Sequence, residues 1–220
     1  MPAPEPVVRC RGVGATYGAV PALVDVDADF AAGRLSVVAG PSGSGKSTLL
    51  RVLAGLHHGT GSVVVDGTEL RGLRTGQLRR LRRRRIGFVL QSPADNLVEH
   101  LTALQQVQLA ARLRGIDGAG AEALLDAVGL GGRMLASPAE LSGGEQHRVA
   151  FAAGAIGPPT VLLADEPTAQ LDSTSGAALV EAMRRLVQRG TTLVVSSHDP
   201  MVIDAADHAV HLRDGRVVEP

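Results

Sequence analysis

The sequence predicts an α/β fold: a mixed, largely parallel sheet around a phosphate-binding loop, with an N-terminal antiparallel β subdomain and an inserted helical subdomain. Three observations carry that expectation. Gly40-Pro41-Ser42-Gly43-Ser44-Gly45-Lys46-Ser47-Thr48 has the spacing G-x-x-x-x-G-K-[ST] of a phosphate-binding loop, set between an apolar run and a helical one. Two strongly apolar runs, Thr160 to Ala164 and Thr191 to Ser197, are separated by a helical stretch from Ser175 to Gln188, the pattern of strands buried on both faces of a parallel sheet. Residues 92–157 change character, becoming rich in Ala, Leu, Gln and Gly at helical spacing.

Taken in order, Met1-Pro2-Ala3-Pro4-Glu5-Pro6 has neither a positive n-region nor an apolar h-region and reads as a disordered start, not a signal peptide. Val7 to Val13 and Val20 to Phe30 read as early antiparallel strands. Leu35 to Ala39 is a short buried strand, and Ser47 to Ala54 a helix ended by Gly55. Ser62 to Val65 is another strand, turned by Asp66-Gly67. Inside the helical insertion, Leu101 to Arg114 and Ala119 to Val128 have helical spacing, and Val149 to Ile156 continues a helix that begins near Ser142.

Three segments carry chemistry. Lys46 is the only lysine of the chain, every other basic side chain being arginine. A compact ammonium suits a phosphate cradle where a guanidinium fork does not. Around it, the loop glycines let backbone N–H groups close on α- and β-phosphates at a helix N-terminus, with the Ser47 hydroxyl set to coordinate Mg²⁺. Val161-Leu162-Leu163-Ala164-Asp165-Glu166 ends a buried strand with two carboxylates, of which Asp165 suits Mg²⁺ and Glu166 a catalytic base. Leu141-Ser142-Gly143-Gly144-Glu145-Gln146-His147-Arg148 is a second glycine-rich helix start, with Ser142 as N-cap.

Composition narrows the field. At 220 residues the chain can bury a sizeable core without staples. Acidic and basic residues balance at 22 each, so no net field draws it to nucleic acid or anionic membrane, and the near-neutral pI favours association. One cysteine, Cys10, excludes an internal disulfide and fits a reducing compartment. No apolar run approaches the ~18 residues that span a bilayer. A guanine-reading Asn-Lys-x-Asp is excluded because it needs a second lysine.

Together these residues resemble the nucleotide-binding subunit of ABC transporters, over essentially the whole chain. Leu141-Ser142-Gly143-Gly144-Glu145-Gln146 matches the signature motif of that family of P-loop NTPases, and Ala164-Asp165-Glu166-Pro167-Thr168 follows it. Four smaller matches fall in order: Tyr17, the only tyrosine, as the aromatic that stacks on adenine; Gln91 after Ile86 to Leu90 as the Q-loop glutamine; Asp172 as the D-loop aspartate; His198 as the switch histidine. The resemblance implies an ABC ATPase with ATP and Mg²⁺ as its cofactors. Residues 1–91 and 158–220 would form the core with its β subdomain, and 92–157 the helical subdomain. Two subunits would pair head to tail, each ATP lying between the phosphate loop of one (Gly40, Pro41, Ser42, Gly43, Ser44, Gly45, Lys46, Ser47 and Thr48) and Ser142, Gly143 and Gly144 of the other. Ser47, Gln91 and Asp165 would hold Mg²⁺, Glu166 would polarise the attacking water, and His198 would contact the γ-phosphate. An integral-membrane permease would be the partner at the cytoplasmic face, with no nucleic acid.

Within the family, Leu81 to Val89, Ser197-His198-Asp199-Pro200 and the ending His211 to Arg216 look like the LolD, MacB and FtsE group, whose permeases often transmit force. Departures from the usual pattern are Ala169-Gln170 before Leu171-Asp172, His147 for a common glutamine, Leu90 for a phenylalanine, Gln105-Gln106-Val107 for Glu-Asn-Val, and no arginine in Phe151 to Ile156. They bear on subgroup and on communication between sites, since none removes a catalytic group. Arg79 to Arg85 reads as a solvated helix face, with contact to a permease or to anionic lipid as the functional alternative. A soluble ABC ATPase of DNA repair or translation is the second function class; a long coiled-coil insertion or a second cassette would mark it.

Overall fold

Two sheets and two apolar cores position the phosphate loop. The structure is a computed structural model that describes residues 5–219; of the disordered start expected over residues 1–6, residues 1–4 lie outside the described residues, and Pro6 is instead the first residue of a strand, paired with Ala31. Strands β1 (Pro6–Tyr17) and β2 (Val20–Ala31) pair antiparallel as their alternation predicts, β1 running four residues beyond the expected end at Val13. Then come β3 (Leu35–Ala39) and α1 (Lys46–Leu53), with the phosphate loop between them. Strands β4 (Thr60–Val65) and β5 (Thr68–Glu69) complete a four-stranded antiparallel sheet of order β2-β1-β4-β5. Asp66 and Gly67, both at positive φ, form the expected turn.

Helix α2 (Thr75–Arg85) leads into β6 (Ile86–Val89). The helical segment follows with α3 (Ala103–Arg114), α4 (Ala121–Ala127) and α5 (Gly143–Ala155), close to the expected spans. Thr102 caps α3, accepting a hydrogen bond from the Gln105 N–H at 3.3 Å. The chain returns through β7 (Val161–Asp165), α6 (Ser173–Gln188), β8 (Leu193–Ser197) and α7 (Pro200–Asp204), and closes with β9 (His208–Arg213) and β10 (Arg216–Val218). The second sheet has the order β10-β9-β3-β8-β7-β6, parallel except for the β9–β10 hairpin.

Every residue of β3, β7 and β8 is buried, which is why these strands read as mostly apolar runs without alternation. Their alternation separates the cores. Val37, Leu162, Ala164, Leu193 and Val195 join α6 and the buried faces of α3, α4 and α5 on one side. Val38, Val161, Leu163 and Val194 join α1 and the antiparallel sheet on the other. Strand β9 was not expected from its residues, although it lies beside β3. In His208-Ala209-Val210-His211-Leu212-Arg213 only Val210 and Leu212 are buried, so the segment lacks the continuous apolar signal of its neighbours.

The arginine cluster occupies α2, where Arg79, Arg80, Arg83, Arg84 and Arg85 are exposed. Two of its members bond to other parts of the chain. Arg82 donates to the Gly55 carbonyl at 2.7 Å, and Arg85 pairs with Asp66. Among the described residues no helix is long and apolar enough to cross a membrane.

Candidate nucleotide-binding site

Helix α1 starts without a side-chain cap. Its N-cap is Gly45 at φ 102°, so the first-turn N–H groups have no side chain closing them off. Only glycine fits there: a Cβ at Gly45 would lie 2.5 Å from the Ala22 carbonyl oxygen. The loop is braced by the C-terminal hairpin, whose Gly215 N–H donates to the Ser44 carbonyl at 3.1 Å. The Ser44 hydroxyl is buried and has no partner among the described residues. A phosphate oxygen in the loop would satisfy it.

Lys46 is only 4% exposed. Its ammonium donates to the carbonyls of Gly40 at 2.8 Å and Pro41 at 2.9 Å, and it pairs with Glu166 Oε1 at 3.0 Å. Glu166 also receives His198 Nδ1 at 3.0 Å on Oε2. Lysine, glutamate and histidine, expected from three separate segments, therefore meet. Glu166 sits at φ 43°, a left-handed backbone that a non-glycine residue rarely adopts and that tends to mark functional positions. Asp165 Oδ1 accepts two hydrogen bonds of 2.7 Å, one from Ser47 Oγ and one from Ser196 Oγ. Serine and aspartate oxygens this close form a hard-donor pair of the kind Mg²⁺ selects.

Ser196 escaped the sequence reading. Fully buried, its hydroxyl donates to Asp165 and accepts the Glu166 N–H at 2.9 Å, so one side chain sets both carboxylate residues. The available signal was a Ser-Ser pair closing an otherwise apolar strand, since buried hydroxyls need partners.

The other expected residues make no hydrogen bond or ion pair with Lys46, Asp165, Glu166 or His198 among the described residues. Tyr17 is 47% exposed, its ring 4.6 Å from that of His57 and tilted by 35°. Hydrogen bonding toward Thr48 and Arg51 draws the Tyr17 phenol below its usual range. Asp172 caps α6, accepting from the N–H groups of Thr174 and Ser175, each at 3.0 Å. These bonds, that from Ser175 first, hold its carboxyl below the usual range.

Ser142 and Glu145 close the start of α5 on themselves. The Ser142 N–H donates to Glu145 Oε2 at 2.8 Å, and the Glu145 N–H to Ser142 Oγ at 3.2 Å. Among the described residues no hydrogen bond or ion pair joins Ser142, Gly143 or Gly144 to Lys46, Asp165, Glu166 or His198. Gly144 is tightly seated, since a Cβ there would stand 3.0 Å from Ser175 Cβ.

Gln91 is exposed, in the loop after β6. Its carbonyl oxygen lies 3.2 Å from His147 Nε2, and because a carbonyl only accepts, the His147 ring carries its proton on Nε2. His147 is fully buried, and burial pushes its basicity below the usual histidine range.

This set of glycine loop, lysine, paired carboxylates and histidine suits a nucleoside triphosphate. The sequence profile described as ABC transporter matches residues 23–169. The chain belongs to the ABC transporter family. It is an ATP-binding cassette of that family and an ATPase.

Its similarity to individual relatives extends over most of its length. It is 41% identical, over 97% of its length, to a macrolide export ATP-binding/permease protein MacB of Paracoccus denitrificans, and covers 33% of that protein. An uncharacterized ABC transporter ATP-binding protein of Thermotoga maritima is also 41% identical, with 90% of this chain and 86% of the relative aligned. The chain thus spans about a third of the MacB relative but most of the Thermotoga one. Among solved structures, the ATP-binding cassette MJ0796, a dimer in a post-hydrolysis state bound to ADP and Pi, superposes with a TM-score of 0.82 at 33% identity, covering 96% of this cassette and 97% of that chain.

Proposed function

We propose that this cassette works as one half of a head-to-tail pair beneath a membrane permease of the MacB, LolD and FtsE type, held at the cytoplasmic face through that permease. The observation that carries the reading is the meeting of Lys46, Glu166 and His198 over the phosphate loop, while Ser142 to Gly144 stand apart with no partner in that cluster. A site half-built in each copy is completed by pairing. The solved MJ0796 dimer and the permease-fused MacB relatives support it.

Lys46 would leave Glu166 to hold β- and γ-phosphate oxygens alongside the amides of residues 40–48. That exchange frees the Glu166 carboxylate to take a proton from water. The His198 Nδ1–H on Glu166 orients the carboxylate, and in the imidazolium form the second ring N–H would donate to the γ-phosphate. Ser47, Asp165 and Gln91 would hold Mg²⁺, which when bound neutralises the charge developing on the phosphates. Tyr17 would stack on adenine, and Ser142, Gly143 and Gly144, with Asp172 brought near them through Ser175, would close on the partner's ATP. Phosphoryl transfer depends mostly on positioning and charge, so the rate waits for closure. A permease that holds two copies together raises their effective concentration.

The test is Ser142→Arg, with two quantities measured on one preparation. ATP binding by the isolated cassette should be unchanged, while ATPase activity of the permease-bound pair should disappear. A variant cassette that no longer binds ATP, or a wild-type monomer as fast as the assembled pair, would exclude the split site.

A further inference from the structure

The loop carrying Gln91 is held in a way an ordinary surface loop is not. Backbone groups of surface loops usually face water; here four of them, on three successive residues, are engaged by two side chains. Asn96 accepts the Leu90 N–H at 2.7 Å and donates to the carbonyls of Leu90 at 2.9 Å and Ser92 at 2.8 Å. His147 supplies the fourth contact, on the Gln91 carbonyl at 3.2 Å, from 56 residues further along the chain. His147 belongs to α5, the helix that Ser142 caps. Its Nδ1 is buried without a hydrogen-bond partner of good geometry among the described residues, so the bond to the Gln91 carbonyl, aided by the nearby Gly143 backbone, offsets the burial of the ring. The ring makes no hydrogen bond to Lys46, Asp165, Glu166 or His198.

We infer that His147 and Asn96 are positioning residues for Gln91: Asn96 makes the loop of residues 90–92 rigid, and His147 ties it to the signature-bearing helix. Any displacement of α5 during pairing is then delivered to Gln91 directly, without passing through the sheet. This rests on the reading of Gln91 as a residue that would hold Mg²⁺. An apolar side chain would fill the same volume beside Gln91 but could not donate to its carbonyl. Glutamine could, through its amide N–H.

The experiment is a double-mutant cycle on the ATPase activity of the full chain. His147→Leu should lower kcat about fivefold, the worth of one net hydrogen bond, with KM for ATP within about twofold. His147→Gln should recover most of the rate. In a Gln91→Ala background, His147→Leu should cost nothing further, since a positioning residue has nothing left to position. Asn96→Asp, half-exposed and able to accept but not donate, gives a second arm should His147→Leu not fold, and the same non-additivity is expected of it. If either substitution lowers the Gln91→Ala rate by the factor seen in wild type, the two side chains act through stability and the inference fails while the Gln91 reading stands. If Gln91→Ala alone leaves kcat unchanged, the Gln91 reading fails and the inference with it.

Discussion

The two glycine-rich helix starts in this chain, at Gly45 and at Ser142, follow opposite rules. Gly45 offers no side-chain cap, and the open N–H groups of α1 sit beside a buried lysine and a serine already bonded to Asp165. Ser142 caps α5 with its own hydroxyl, and the carboxylate of Glu145 turns back onto the Ser142 N–H, with Arg133 Nε 3.4 Å away. The first start is therefore held open for an anion by its own fold, and the second is partly closed on itself, through the N–H groups of Ser142 and Glu145. An anion brought to Ser142 must compete with a carboxylate already seated there, which is a physical reason for that start to engage only when a partner presents the phosphate.

Four predictions probe that contrast. The largest effect should follow Glu166→Gln, which removes the base and also the negative partner of Lys46. Turnover should fall by about 10²-fold or more, with ATP affinity kept or raised because the ammonium is released for phosphate. Steady-state ATPase rates beside equilibrium ATP binding check this. Turnover within about threefold of wild type would remove Glu166 from the role of base.

Tyr17→Ala comes next. Loss of base stacking should weaken ATP by about 1–3 kcal/mol, and GTP similarly, since every base has a π-face. Calorimetric titration of both nucleotides decides it, and unchanged affinity would leave Tyr17 as the packing partner of His57.

Ser142→Ala addresses the closed start alone. Loss of the cap should cost about 1 kcal/mol of stability in chemical denaturation, with ATP binding to the isolated cassette unaffected. A loss of monomer ATP affinity would mean that the two starts are not independent.

The smallest effect is acid sensitivity of the caps. Hydrogen bonds hold the carboxyls of Glu145 and Asp172 below their usual values, the Ser142 N–H leading for Glu145 and the Ser175 N–H for Asp172. Groups whose folded values are depressed contribute stability above the unfolded value, near pH 4, and lose it as pH falls through the folded one. The protection of the amides at the first turns of α5 and α6, relative to their intrinsic exchange at the same pH, should therefore fall below about pH 4. Glu145→Gln should flatten that response at α5 only, and an unchanged acid response in this variant would show that its charge is irrelevant to the cap.

How much was legible in the sequence varies with how local the cause is. The phosphate loop, its flanking strand and helix, the Ser142 cap and the carboxylates ending β7 were readable because spacing along the chain determines each of them: glycines where the backbone turns, a capping side chain three residues from its partner, an apolar run that must be buried. Placing β9 beside β3, bracing the phosphate loop with Gly215, and joining Lys46 to Glu166, 120 positions apart, depend on contacts that sequence spacing does not encode. The same holds for Ser196 beneath both carboxylates and for His147 on the Gln91 carbonyl. The residues by themselves determined which groups could bind phosphate and polarise water. Only packing decided which of them meet, because a buried polar side chain takes whatever partner the fold brings within about 3 Å, and that partner comes from anywhere in the chain.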